Sequence, residues 1–138
     1  MISVFQTTNE QTLGLISEFD LPIVDRVRVE DFTRASCMCF VAKSGQTVLC
    51  IWGLIAPSFV TPKAYIWVHS RREVSRVSIG FARKSLEVTR KMLEVFPEIV
   101  GHCESKSKGS IRWLRWCGAE FGSPTGPLVP FTLRASHG

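Results

Sequence analysis

Histidine and glutamate residues near the ends of two apolar segments are the side chains best suited to acid–base chemistry. His69 follows the apolar run at residues 65–68, and Glu73 comes four residues later. A histidine titrates close to neutral pH, as a general base requires, so His69 and Glu73 are candidate catalytic residues. A polar surface histidine is the alternative interpretation of His69. His102 and Cys103 are adjacent, and strand neighbours point to opposite faces, so they are not predicted to act as a base and nucleophile pair.

The five cysteines are predicted to be reduced and buried. Their number is odd and their spacing is irregular, so they do not suggest a disulfide framework. Cys37 and Cys39 alternate within an apparent strand and are expected on one of its faces. No second CxxC or HxxxH motif completes a metal site, and no metal is expected. A free cysteine behaves as a small buried hydrophobic residue.

Basic residues gather on two predicted helices. In the first, Arg83-Lys84 and Arg90-Lys91 are seven residues apart and therefore share one face, which either holds phosphate groups or is simply solvated. The second carries residue types that are enriched at protein interfaces, namely Arg112, Trp113, Arg115 and Trp116. We predict that this cluster binds a protein partner. The alternative is that both indoles seal the edge of the core.

Length and composition indicate one folded domain over residues 1–138. The hydrophobic fraction of 45% and the charged fraction of 21% are ordinary for a globular protein. The net charge of +5 permits contact with acidic surfaces, but no lysine or arginine run is dense enough to predict nucleic-acid binding. There is no amino-terminal signal and no long apolar run, so no membrane segment is predicted and the expected location is the cytoplasm.

The apolar pattern predicts a mixed α/β (α+β) fold with a mostly antiparallel central sheet. A strand, a long helix and a second strand follow one another between residues 65 and 103, an order typical of a right-handed parallel pair. A glycine-containing loop at residues 44–46 predicts a hairpin. Strands are predicted at residues 2–5, 36–43, 47–55, 63–69, 98–103 and 130–133, and a further strand is predicted after Gly118, up to Phe121. One helix is predicted from Thr8 or Asn9 to Phe19, and one further helical turn is predicted at residues 29–34. A long basic helix is predicted to follow the strand at 63–69 and to end at Phe96. A short helix is predicted from Ser110 to Gly118.

The order of these elements resembles the GNAT acyltransferase fold. The run Ser110-Ile111-Arg112-Trp113-Leu114-Arg115, followed by Gly118-Ala119 and Phe121, resembles the GNAT-like internal virion protein A family of T7-like phages. Arg90-Lys91-Met92-Leu93-Glu94 in the long helix also fits that family. The resemblance covers residues 36–134. It implies a virion-associated or morphogenesis role, a location in the host cytoplasm or the virion, and other virion or host proteins as partners.

Coenzyme A binding is a second implication of the resemblance. GNAT enzymes hold the coenzyme A pyrophosphate with a loop of type R/Q-x-x-G-x-G/A at a helix amino terminus. This chain has Arg76, Gly80 and Phe81 at the corresponding place, with one residue too many between Arg76 and Gly80. The resemblance places these three residues at the pyrophosphate. It places Ser107 and Ser110, as helix-capping hydroxyls, beside the pantetheine arm.

The family's proton donor for the departing thiolate is missing here. Many GNAT enzymes carry a tyrosine four residues before the glycine that ends the last helix, and the corresponding residue is Leu114. The only tyrosine, Tyr65, lies in an earlier strand. We therefore expect a virion-associated protein that acts by association and lacks acyltransfer chemistry. The alternative is an acetyl-CoA-dependent N-acetyltransferase that modifies a host protein or a small amine.

Overall fold

One sheet and four helices make up the part of the chain that the computed structural model describes, which comprises residues 2–19, 21–56, 62–70 and 79–135. The elements follow in the order β1 (Ile2–Thr7), α1 (Asn9–Ile16), α2 (Ile23–Ala35), β2 (Met38–Ser44), β3 (Thr47–Ile55), β4 (Lys63–Ser70), α3 (Ile79–Val95), β5 (Glu98–Glu104), α4 (Lys108–Trp116), β6 (Glu120–Phe121) and β7 (Leu128–Arg134). Thr8 caps α1 as predicted, and its hydroxyl accepts from the Gln11 backbone N–H.

The sheet has seven strands in the order β1-β2-β3-β4-β5-β7-β6. Strands β1 to β4 form an antiparallel meander, and the β2–β3 turn contains Gly45 at φ +61, a conformation that glycine adopts without steric cost. β4 and β5 are parallel and are connected through α3. β5 then pairs antiparallel with β7. The predicted mixed and mostly antiparallel sheet, with one parallel pair across the long helix, is confirmed.

Helices cover both faces of the sheet. On one face, Val88 of α3 and Leu114 of α4 belong to one buried cluster. On the other face, Ile16 of α1 and Val29 of α2 belong to a second cluster. Because successive strand side chains point to opposite faces, the same central strands fill both clusters.

Helix α2 is longer than the sequence pattern predicts. The pattern predicts a single turn at residues 29–34, whereas α2 has thirteen residues. Its buried side chains are Val29 and Thr33, so the apolar stripe is too narrow to reveal the helix. Its exposed side is stabilised by ion pairs between successive turns, such as Arg26 with Glu30 at 3.3 Å.

The buried side of α3 is partly polar. The sequence spacing predicts an apolar face at Ala82, Leu86, Leu93 and Phe96 with Val95 beside it, but Val95 is 56% exposed. Ser85 and Thr89 are buried instead, and Thr89 Oγ1 donates to the Ser85 carbonyl oxygen at 2.8 Å. A hydroxyl that bonds to the preceding helical turn needs no outside partner, so it can face the core.

Gly53 of β3 is paired with Trp67 of β4. A Cβ atom on Gly53 would lie 2.6 Å from Trp67 Nε1 and 2.8 Å from Ser36 Oγ. These two groups are bonded to each other, since Trp67 Nε1 donates to Ser36 Oγ at 2.7 Å. The absence of a side chain on Gly53 therefore leaves room for a buried hydrogen bond between β4 and the end of α2.

Replacing Gly53 by alanine is expected to lower the free energy of unfolding by about 1–3 kcal/mol, because the new methyl group displaces the Trp67 indole. The measurement is equilibrium unfolding in urea. Gly14→Ala is the matched control, since a Cβ atom on Gly14 would meet no other atom within 4 Å. Alanine there favours α1 by up to about 1 kcal/mol. Equal stability of the two variants would contradict the close contact at Gly53.

Candidate functional site

The parallel pair formed by β4 and β5 separates after three residue pairs. The pairing ends at Tyr65 and Val100, and the described residues beyond it show no further ladder between the two strands. Each strand continues on its outer neighbour, β4 on β3 and β5 on β7. Gly101 is the first residue past the junction, and a Cβ atom on it would lie 3.0 Å from the Ile66 carbonyl oxygen. The gap between the strands opens from this point.

A cleft of about 820 Å³ occupies this gap and is called the β4–β5 cleft below. Ligand pockets commonly measure about 300–1,000 Å³, so the volume suits a ligand of cofactor size. Its walls come from β3, β4, β5, β7, α2, α4 and the residues just before α4. Ligands of α/β sheets typically bind at the carboxyl ends of parallel strands, which is where this cleft lies.

Aromatic and imidazole rings line the side of the cleft that faces α2. The His102 ring lies 6.1 Å from the Tyr65 ring, and the His69 ring lies 5.0 Å from the Phe19 ring. His69, the candidate base from the sequence, thus lines the cleft. His102 and Glu104 also line it, both are exposed, and their spacing puts them on one face of β5. An imidazole and a carboxylate therefore share this wall.

Helix α4 and the residues before it form the opposite wall. Ser107 occupies the N-cap position, but its side chain makes no capping hydrogen bond, so the predicted capping role is wrong. The hydroxyls of Ser107 and Ser110 instead bond to each other, with their Oγ atoms 2.8 Å apart. Leu114, one turn beyond Ser110, is buried and lines the cleft. This wall provides two coupled hydroxyls and, at Leu114, an apolar surface.

Four predicted site residues belong to the start of α3 or to the chain before it. Glu73 and Arg76 lie outside the described residues. Gly80 and Phe81 are part of the first turn of α3, where the structure describes the backbone alone. A helix amino terminus is a suitable place for a pyrophosphate, and the role of these residues stays a prediction.

His102 and Glu104 are candidates that the sequence pattern does not single out. The prediction that His102 and Cys103 point apart is confirmed, because Cys103 is buried and His102 is exposed. The alternation that separates these neighbours also places His102 and Glu104 together. The placement of His102 and Glu104 on one face of β5 therefore follows from local sequence spacing. The open space beside these two residues exists because β4, which is distant in sequence, separates from β5.

The four residues of the predicted protein-binding cluster on α4 differ in their exposure. Trp113 is half-buried and packs edge-to-face on Trp52, with ring centroids 6.2 Å apart. Trp116 is 55% exposed. Arg112 and Arg115 are exposed too. The alternative, that the indoles seal the core, therefore suits Trp113, whereas Trp116 lies at the surface.

All five cysteines are free thiols, and four are buried as predicted. The exception is Cys37, which precedes the first residue of β2 and is exposed, so its predicted place beside Cys39 is wrong. Burial raises the pKa of Cys50 to about 12. Burial also raises the pKa of Cys103, which lines the cleft. The thiolate form, which is the nucleophile, is thus disfavoured at Cys103.

The described residues contain neither a candidate metal site nor a candidate membrane-spanning helix. These residues include no group of three or more His, Cys, Asp or Glu side chains that would hold a metal ion. No helix among them is long and apolar enough to cross a membrane.

Several solved structures share this fold, and they are acetyltransferases. The IAA acetyltransferase from Bacillus cereus matches with a TM-score of 0.67 at 11% identity, over 97% of this chain and 99% of its own. An acetyltransferase from Bacillus subtilis in complex with CoA matches with a TM-score of 0.64 at 12% identity, over 98% of each chain. The ribosomal-protein-S18-alanine N-acetyltransferase from Escherichia coli matches with a TM-score of 0.65 at 8% identity, over 100% of this chain and 96% of its own.

The architecture is therefore the GNAT acetyltransferase fold, and the resemblance is confirmed at this level. Identities this low show the fold alone, because one scaffold supports many activities. No family model and no curated protein sequence matches the chain. The finer resemblance to a phage virion family receives no support from these comparisons.

A short treatment of the native protein with a thiol reagent is expected to modify Cys37 first. Burial shields the other four thiols and raises their pKa, so little of each is thiolate near neutral pH. Raising the pH should speed modification of these four, because their thiolate fraction rises. Mass spectrometry of peptides identifies the sites, and Cys37→Ser should remove the fast phase. Rapid modification of Cys50 would contradict its burial.

Proposed function

We propose that this protein is an acetyl-CoA-dependent N-acyltransferase and that the β4–β5 cleft receives the cofactor. The observation that carries the proposal is the separation of β4 from β5 beyond Tyr65 and Val100. Within the described residues, the inner edges of both strands have no partner strand there. Free N–H and C=O groups on a strand edge bind an extended chain that carries amides. The pantetheine arm of coenzyme A is such a chain.

The size and chemistry of the cleft fit this ligand. The wall at α4 combines the Ser107 and Ser110 hydroxyls with the apolar surface of Leu114, which suits an arm that alternates amides with methylene groups. Arg76 and Gly80 would hold the pyrophosphate at the amino terminus of α3. One structural neighbour is a complex with CoA, which favours this ligand over others of similar size. When bound, acetyl-CoA supplies an acetyl group activated as a thioester.

His102 and Glu104 are the residues that we assign to the acceptor amine. An amine must lose a proton to attack a thioester, and the exposed His102 imidazole lies in the cleft beside Tyr65. Glu104, on the same face of β5, attracts a protonated amine. His69, on β4, lines the same cleft and is the alternative base. The acceptor is a small amine or a protein, and one neighbour is named for an alanine of a ribosomal protein.

The second candidate function is that of a non-catalytic binding protein on this scaffold. The position of Leu114 favours it. Leu114 lines the cleft where the family's tyrosine would donate a proton, and a hydrocarbon side chain cannot donate one. A virion-associated role belongs to this candidate and depends on the sequence resemblance. The enzyme is favoured because the solved structures that share the fold are acetyltransferases. Ser110 also provides a hydroxyl one helical turn before Leu114.

Acetyl-CoA is expected to raise the midpoint of thermal unfolding, because a ligand at about 100 times its dissociation constant stabilises the native state by about 2.7 kcal/mol. Differential scanning fluorimetry measures the midpoint. Ser110→Phe should reduce the shift by filling the cleft, and Ser17→Phe, on the exposed end of α1, is the control that should not. An unchanged midpoint for the unsubstituted chain would exclude the cofactor.

His102→Phe is expected to lower kcat/KM about 10²–10⁴-fold, because it keeps a ring beside Tyr65 and removes the proton acceptor. His69→Phe is the matched test of the alternative base on β4, and it should cause a smaller loss if His102 is the base. Release of free thiol from acetyl-CoA, with a panel of primary amines and lysine-containing peptides, measures the rate. A larger loss at His69 would assign the base to β4. Cofactor binding without transfer to any acceptor would favour the second candidate function.

A further inference from the structure

The two helical layers of this protein carry opposite charge. Residues 9–35, which include α1 and α2, contain six acids and three arginines, a net charge of −3. On the other face of the sheet, α3 contains four cations and two acids. Residues 106–116, which include α4, contain four cations and no acid. Among the described residues, the net positive charge is therefore concentrated on the side of α3 and α4.

The arginines of α2 are compensated, whereas the cations of α4 are not. Arg26 and Arg34 lie 3.3 Å and 3.5 Å from the Glu30 carboxylate on their own helix. In the described part of the chain, no ion pair involves Arg112 or Arg115. Uncompensated cations on one surface attract an acidic partner and steer its approach.

The exposed cations of α4 form one stripe. Lys108, Arg112 and Arg115 follow the spacing i, i+4 and i+7, and Trp116 lies one turn beyond Arg112. The opposite side of the helix faces the core through Leu114 and Cys117. We call the exposed set, Lys108, Arg112, Arg115 and Trp116, the α4 stripe.

Aromatic side chains lie at the carboxyl-terminal end of the α4 stripe. The Arg115 guanidinium carbon lies 5.4 Å from the centroid of the Phe121 ring, which orients the cation without neutralising it. The indole of Trp116 is 55% exposed beside it. Arginine and tryptophan are the residues that most often dominate the energy of protein interfaces.

We propose that the α4 stripe docks an acidic polypeptide segment that places an apolar side chain on Trp116. The carboxylates of the segment pair with Lys108, Arg112 and Arg115, and the apolar side chain covers the exposed indole. This interaction does not depend on acetyl transfer, because α4 lines the cleft through residues outside the stripe, namely Gly109, Ser110, Trp113 and Leu114.

A nucleic acid is a poorer match for this surface. Its binding grows with the number of phosphates that cations neutralise, and the stripe offers three cations on one short helix. On the neighbouring helix α3, the exposed acids Glu87 and Glu94 lie among the cations and reduce the net positive charge. An acidic segment with an apolar anchor uses all four side chains of the stripe, including Trp116.

Fluorescence anisotropy with a labelled peptide of alternating glutamate and alanine, with one central leucine, tests the proposal. The unsubstituted chain should bind the peptide, and more weakly as salt is raised. Arg112→Gln with Arg115→Gln should weaken binding about tenfold or more, and Trp116→Ala should have a similar effect. Arg26→Gln with Arg34→Gln removes the same charge from the other face and should leave the affinity unchanged.

Three results would overturn the proposal. One is failure of the unsubstituted chain to bind the peptide. Another is an equal loss of affinity in the α2 control. The third is tighter binding of a single-stranded oligonucleotide of equal charge. Circular dichroism verifies that each variant is folded, and the single substitution Lys108→Gln, expected to give a smaller loss, replaces any double variant that unfolds.

Discussion

The separation of β4 from β5 is the constraint on which the rest of the site depends. Backbone ladders hold both sides of the gap, because β5 pairs with β7 from Glu98 to Glu104 and β4 pairs with β3 from Tyr65 to Ser70. The gap is thus a rigid part of the sheet. Main-chain polar groups need partners, so a gap that exposes two strand edges favours water or a ligand that can satisfy them. A preorganised opening of this kind is a natural place for a binding site.

The cleft brings together two walls with different chemistry. On the side facing α2, the rings of Tyr65 and His102 and the carboxylate of Glu104 offer proton acceptors and a negative charge. On the side of α4, Ser110 and Leu114 offer a hydroxyl and an apolar surface. Because the cleft lies in the sheet itself, it is reached from both helical layers. In the proposed enzyme, an acceptor and a cofactor arm would therefore meet from opposite sides without competing for the same groups.

Most of the strands were predictable from the sequence because alternation and turns are local properties. The β3 prediction at residues 47–55 matches the observed strand, and the parallel relation of β4 and β5 follows from the helix between them. Helix α2 was not recognised at its full length, since pairs such as Arg26 with Glu30 stabilise it where a wide apolar stripe is absent. The burial of Thr89 was also not predicted, because its hydroxyl bonds to the Ser85 carbonyl oxygen of the preceding helical turn, which depends on helical geometry rather than on apolarity.

The sequence by itself determined the order of the elements, the cap at Thr8 and the opposite orientation of His102 and Cys103, because each depends on neighbours within a few residues. Only the tertiary structure decided that Trp113 packs on Trp52 while Trp116 stays exposed. It also decided that His102 lies beside an open cleft. Burial and open space are set by residues far apart in the chain, and no local pattern specifies which of them will meet.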